Sequence, residues 1–279
     1  PDLIHAQALA PDLLLVGDAA RAAGVPVVVT DHVLAALPAT ARLRLIHGAA
    51  RIPEIVVAPS ASAAATVSRL VPSVGDRVRV VRCGVPVPAN VPSVLPDVRS
   101  VLYVGRLVPE KGVAVALTAW SIVARSRPEL TLTIAGDGPD RSVLELLAAH
   151  LVVGDRVRFV GWRSSDEVAD LLENSGVVLV PSLWSEPFGL VAAEAAAQGR
   201  PVIASRVGGL PEVVIDQQTG LLVEPGDILG LVGTLNGLLA DPGRVHDLGA
   251  AARHHAVAHL GFDACVDRYE TVYRELAAS

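Results

Sequence analysis

Methionine is absent, aromatic residues make up 3% of the chain, and cysteine occurs twice among 279 residues. With so few rings, the core must be built from Val, Leu, Ile and Ala. A composition that is 51% hydrophobic and 19% charged supplies enough of them for a globular fold. Cys83 and Cys265 have no metal-ligand spacing, so free thiols in a reducing compartment are expected. No apolar run reaches the roughly 18 residues that a membrane-spanning helix requires, and no secretory signal is visible. A cytoplasmic location is expected, with peripheral contact at the inner face of a membrane left open. No basic stripe relieves the net charge of −6, which argues against nucleic acid as a partner but leaves room for a local basic pocket. No Asp-x-Asp pair occurs, so a bridging Mg²⁺ or Mn²⁺ is not implied, and neither a metal site nor a cofactor is expected. The chain also opens Pro1-Asp2-Leu3-Ile4-His5, which is not how a translated protein starts.

What is present is an alternation of short apolar runs and helix-favouring segments, in a length sufficient for two domains. Residues 3–5, 26–30, 55–58 and 77–81 read as strands. Helices are expected over 11–23, 33–50 (interrupted near Pro38) and 62–70. Residues 86–96 hold Pro86, Pro88, Pro92 and Pro96 with little periodicity, and read as a linker. A second alternation follows, with strands expected at 101–104, 130–135, 157–160, 176–180, 202–204 and 221–223. The last helix is expected over 262–276. His254, His255 and His259 read as surface residues and not as metal ligands.

The stretch from Pro181 to Glu212 carries the most chemistry. Pro187 satisfies the preference for proline at a first helical position, and residues 189–198 are alanine-rich. The N–H groups of Phe188, Gly189 and Leu190 then lack partners within the helix and present the positive end of its dipole to an anion or a ring of hydroxyls. Glu186 lies just before this helix and Glu194 inside it, and a carboxylate accepts hydrogen bonds from vicinal hydroxyls such as those of a sugar or ribose. A second loop, Gly105-Arg106-Leu107-Val108-Pro109-Glu110-Lys111-Gly112, brings two cations to the end of a strand. Arg grips a diphosphate bidentately and Lys acts as a point charge. Gly136-Asp137-Gly138-Pro139 is a tight turn, and His5 and His32 each end a strand. Ligands of open α/β sheets bind at such strand ends.

These residues resemble the retaining glycosyltransferases of the GT-B fold, glycosyltransferase family 4 in particular. The resemblance rests on Glu186-Pro187-Phe188-Gly189, Glu194-Ala195, Gly199-Arg200-Pro201-Val202-Ile203-Ala204 and Gly208-Gly209-Leu210-Pro211-Glu212, and it extends over most of the chain. It implies an α/β fold of GT-B architecture: two Rossmann-like domains with parallel sheets facing a cleft, the first domain partial at its N-terminus. The expected domains are 1–95 on the acceptor side, 96–262 for the donor nucleotide-sugar, and 263–279 as a helix returning toward the first domain. The implied activity is transfer of a sugar, with retention, from a UDP- or GDP-linked donor to a lipid-linked or small-molecule acceptor. Catalytic roles are implied for Glu186, His32, Arg106 and Lys111. Donor binding is implied for Gly105, Arg106, Lys111, Gly138, Trp162 (or its neighbour Arg163), Glu186, Phe188, Gly189, Leu190 and Glu194. A non-catalytic nucleotide-sugar-binding or scaffold protein on the same fold is the alternative, followed by a phosphorylase or an epimerase.

Overall fold

The computed structural model describes residues 2–7, 13–32, 52–89, 98–151 and 153–277. The helix expected over 33–50 and the second half of the expected linker lie outside these residues. The chain divides into two compact units, one of Pro1–Gly84, Ser185–Phe188 and Phe262–Ser279, the other of Val85–Trp184 and Gly189–Gly261.

The first unit holds a parallel sheet in the order β1 (Ile4–Ala6), β2 (Val27–Thr30), β3 (Ile55–Ala58) and β4 (Val78–Val80). An all-parallel sheet needs cover on both faces, and the alternation along β2 shows how it is obtained. Val27 and Val29 pack with Leu13 and Ala20 of α1 (Leu13–Ala23) and with Ile52. Val28 faces the other way, packing with Ile55, Val57, Val81 and Val272. Val272 belongs to α10 (Phe262–Ala277), the last helix of the chain. Helix α2 (Ala61–Leu70) starts at Ser60, whose hydroxyl accepts from the Ala63 N–H and donates to the Pro187 carbonyl at 2.6 Å. A 3₁₀ turn over Pro72–Arg77, not read from the sequence, delays β4 to Val78.

The second unit holds six parallel strands: β5 (Ser100–Val104), β6 (Thr131–Ala135), β7 (Val157–Gly161), β8 (Val177–Val180), β9 (Val202–Ser205) and β10 (Gly220–Val223). Their order is β10-β9-β8-β5-β6-β7. The first strand in sequence is therefore central, and the winding reverses beside it. Connections run outward from β5 through β6 to β7, and then from β8 the other way. Crevices form at such a reversal, outside the carboxyl ends of the strands. The helices are α3 (Val113–Ser126), α4 (Arg141–His150), α5 (Ser165–Glu173), α6 (Leu190–Ala197), α7 (Leu210–Val213), α8 (Ile228–Leu239) and α9 (Pro242–His259). Trp120 of α3 is fully buried in the core that these helices make with the sheet, among Leu117, Leu132 and Leu235.

One boundary corrects the sequence reading. Helix α6 starts at Leu190 and not at Pro187. Gly189 has φ 108°, a left-handed value that favours glycine, and a Cβ there would press on the Leu210 side chain. Pro187 and the buried Phe188 thus precede the helix, and the start of α6 belongs to Gly189 and Leu190.

Candidate functional site

The loops after β5, β6 and β7 are sewn together by backbone hydrogen bonds. The Gly105 N–H donates to the Ala135 carbonyl, Leu107 to Asp137, and Gly136 to Gly161, all at 2.8–2.9 Å. Glycine is required for this stacking. A Cβ on Gly136 would overlap the Gly105 carbonyl oxygen, and one on Gly138 would overlap that of Leu107. Gly138 therefore packs one loop on another and is not among the lining residues of the cavity beside it.

That cavity, about 220 Å³, is walled by Val104, Gly105, Arg106, Gly136, Asp137 and Trp162, with Ala135, Arg163 and Val168. Trp162 is 73% exposed, a large apolar ring standing in solvent at the rim. A second hollow of about 260 Å³ adjoins it, since Val104, Arg163 and Val168 line both. This second hollow is mainly apolar, with Pro86, Pro88, Ala169 and Leu172 in its wall, and Glu194 of α6 and Gln198 just past its end among its polar members. Arg163 is held across the shared wall by Glu167 at 2.9 Å and by the Val160 carbonyl at 2.6 Å. Glu167 also closes a capping box with Ser164, which fixes where α5 begins.

Burial raises the pKa of Glu194 above the ordinary carboxylate value. The folded state then binds its proton more tightly than the unfolded state. Stability therefore falls as pH rises from about 4.5 through the raised folded value, and the penalty is complete above it. Glu194→Gln is expected to melt at a higher temperature than the wild type at neutral pH, with the difference vanishing below pH 4.5. Thermal melts across this range check it, and a pH-independent difference would refute it.

Arg106 and Lys111 both occupy the β5 loop, but they are held differently. Arg106 is exposed and pairs with Glu110 at 3.8 Å. The Lys111 ammonium lies 5.2 Å from the centroid of the Trp184 ring, on the loop after β8. Glu186 is buried, 6% exposed.

Of the first unit's histidines, His5 is bonded on both ring nitrogens, to Tyr273 at 2.8 Å and Thr30 at 2.7 Å. Its pKa is lowered by burial and then by His32. His32 is exposed at the end of β2, has Gln7 at 3.4 Å, and has its pKa lowered by desolvation. The rings of His255 and His259 lie 5.0 Å apart on α9, and no cluster of three or more metal-ligating side chains occurs among the described residues.

Residues 93–255 match the family described as Glycosyl transferases group 1, and residues 1–87 match Glycosyltransferase Family 4. The chain belongs to the glycosyl transferases group 1 family. It is 40% identical over 172 residues to a glycogen synthase of Mycobacterium tuberculosis, an alignment covering 62% of this chain and 41% of that protein. It is 37% identical over 227 residues to a D-inositol 3-phosphate glycosyltransferase of Salinispora arenicola, covering 76% and 48%. The chain thus spans less than half the length of these curated relatives. Among solved structures, a sucrose-phosphate synthase from Thermosynechococcus elongatus superposes with TM-score 0.82 at 31% identity, covering all of this chain and 74% of that one. Anabaena Alr3699/HepE in complex with UDP superposes at 0.86 and 23% identity, covering 100% and 79%, a likeness of fold alone. The two parallel-sheet units are those of the GT-B glycosyltransferases.

For this glycosyl transferases group 1 chain, two signals at the site went unread in the sequence. Lys111 is the one lysine among the 23 Lys and Arg residues. The pattern Ser164-x-x-Glu167 is also a helix-start signature, and it brings Ser165 and Val168 to the cavity walls.

Proposed function

We propose that the chain binds the donor of a nucleotide-sugar-dependent glycosyltransferase that acts with retention of configuration. The observation that carries this reading is the joined pair of hollows at the strand-order reversal, with Arg106 at one end and the Glu194 carboxylate at the other. A nucleoside diphosphate has a ring, a pair of vicinal hydroxyls and a dianionic tail, and each has a matching partner. The exposed Trp162 ring and the Arg163 wall suit the base, Glu194 the ribose hydroxyls, and Arg106 with Lys111 the diphosphate. The N–H groups of Gly189 and Leu190 at the start of α6 suit hydroxyls of the sugar. Arg106 gives up little in leaving Glu110, because an exposed ion pair contributes about 0–1 kcal/mol. As the sugar–phosphate bond breaks, negative charge accumulates on the departing diphosphate, where fixed cations stabilise the transition state more than the ground state.

A thermal-shift panel of UDP, GDP, ADP and their sugar forms tests the reading, with UDP first because the Anabaena neighbour holds it. A ligand at a hundred times its Kd adds about 2.7 kcal/mol to stability. The expected result is a raised midpoint selective for one base, lost in Glu194→Ala. A cooperative melt that no nucleotide moves would refute donor binding. Release of nucleoside diphosphate from the matching donor separates an enzyme from a mere binder, and NMR of the product anomer tests retention.

A further inference from the structure

Lys111 is the one lysine of the chain, and its ammonium lies 5.2 Å from the centroid of the Trp184 ring. A cation is drawn to an indole face within about 6 Å. The two residues follow β5 and β8, neighbouring strands at the reversal of strand order. The same two loops are fastened on both sides of this pair. The Leu183 N–H donates to the Glu110 carbonyl at 2.8 Å. Gly112 sits so near Pro181 that a Cβ would overlap the Pro181 carbonyl oxygen. The Trp184 indole N–H is buried without a hydrogen-bond partner among the described residues. Trp184 as a whole is half-buried, and what it offers a cation is the negative face of its ring.

We propose that Trp184 is a positioning residue for Lys111: its ring holds the ammonium, and the ammonium stays on the ring while its N–H groups reach the diphosphate of a bound donor. A lysine is a point charge on a flexible four-carbon stem, and much of its freedom is lost when it grips a ligand. Resting the charge on a fixed ring removes part of that loss beforehand, which is preorganisation. The ring face does not take the place of hydrogen-bond acceptors, since an ammonium carries three N–H donors that remain able to make charge-assisted hydrogen bonds to phosphate oxygens. The grip on the diphosphate rests on the donor reading above; the resting contact does not.

Protein labelled biosynthetically with ¹³C,¹⁵N-lysine gives a single lysine side-chain spin system. Without nucleotide, its ε-methylene protons are expected to be shifted upfield by the ring. The shift should vanish in Trp184→Leu, persist in Trp184→Phe, and persist when UDP is added to the wild type; a shift lost on adding UDP would overturn positioning. By calorimetry, Trp184→Leu is expected to weaken UDP binding about two- to thirty-fold, and to leave uridine, which has no diphosphate, unaffected. In a Lys111→Ala background the same change is expected to alter UDP affinity less than about two-fold, the non-additivity of residues that act through one another. An unshifted ε-methylene signal in the wild type overturns the proposal, whatever nucleotide does. Equal losses for UDP and uridine, or additive losses in the cycle, overturn positioning and leave Trp184 as packing. A shifted signal in a protein that binds no nucleotide supports the resting contact and overturns the grip on the diphosphate, together with the donor reading.

Discussion

Lys111→Ala is expected to slow release of nucleoside diphosphate from a saturating sugar donor by about 10² to 10³-fold, the usual cost of removing one group that stabilises developing charge. The chain has no other lysine to take its place. Arg106, the neighbouring cation, starts from an exposed pairing with Glu110 and remains to bind the ground state. Donor affinity should therefore fall less than turnover. The fold should be little affected, because the backbone bond from Leu183 to the Glu110 carbonyl does not involve the Lys111 side chain. Lys111→Arg is expected to recover only part of the rate, since a planar fork does not reproduce a compact ammonium. Single-turnover kinetics on the cognate donor, with melting curves of each variant, give the answer. A variant that turns over at the wild-type rate removes the ammonium from the mechanism.

Gly112→Ala is expected to cost about 3 kcal/mol of stability and to abolish nucleotide binding with it. Two costs combine. Gly112 has φ 69° and ψ 21°, where an L-residue loses about 1–2 kcal/mol. Its new Cβ would overlap the backbone of Pro181, so the loops after β5 and β8 must separate. Separation breaks the Leu183 to Glu110 hydrogen bond, worth about 1 kcal/mol. Gly226 supplies the control. It also has a left-handed φ, 78°, but a Cβ there would meet only the Leu183 side chain at an ordinary 3.7 Å. Gly226→Ala should show the conformational cost alone and leave nucleotide binding intact. Urea unfolding of both variants measures the difference, and equal losses would refute the loop-packing account.

How far the site was legible in the sequence depends on how local its cause is. Strands β8 and β9 were legible over 176–180 and 202–204, each within one residue of the observed Val177–Val180 and Val202–Ser205. Each is buried along its whole length, so no polar alternation obscures the run. Arg106 and Glu194, which line the two hollows, were visible because strand, loop and helix place them within a few residues of a recognisable boundary. The start of α6 was misread for an instructive reason. Pro187 meets a local rule for helix starts, and the rule is overridden by the left-handed Gly189 packed on Leu210. The turn at Gly136 and Gly138 was legible as a turn, but not its purpose, because the atoms that demand glycine belong to Gly105 and Leu107 on another loop. Trp184 was missed altogether. Its partner lies on a distant loop, and only the adjacency of β5 and β8 makes them neighbours.

The first unit is assembled from separated pieces of sequence, and this has a consequence for how the chain is made. Val28, Ile55 and Val57 find their cover in Val272, and His5 and Thr30 bond to Tyr273 and Tyr269. All three partners lie in α10. During synthesis the sheet of β1 to β4 emerges before the α10 side chains that pack on Val28, Ile55 and Val57, and it lacks that cover until residues 262–277 have followed. The second unit needs nothing later than Gly261. Synthesis therefore inverts the usual N-terminal-first order: the later unit has all its residues first, and a ribosome stalled before α10 holds a chain whose β2 and β3 valines lack their α10 cover, a target for chaperones.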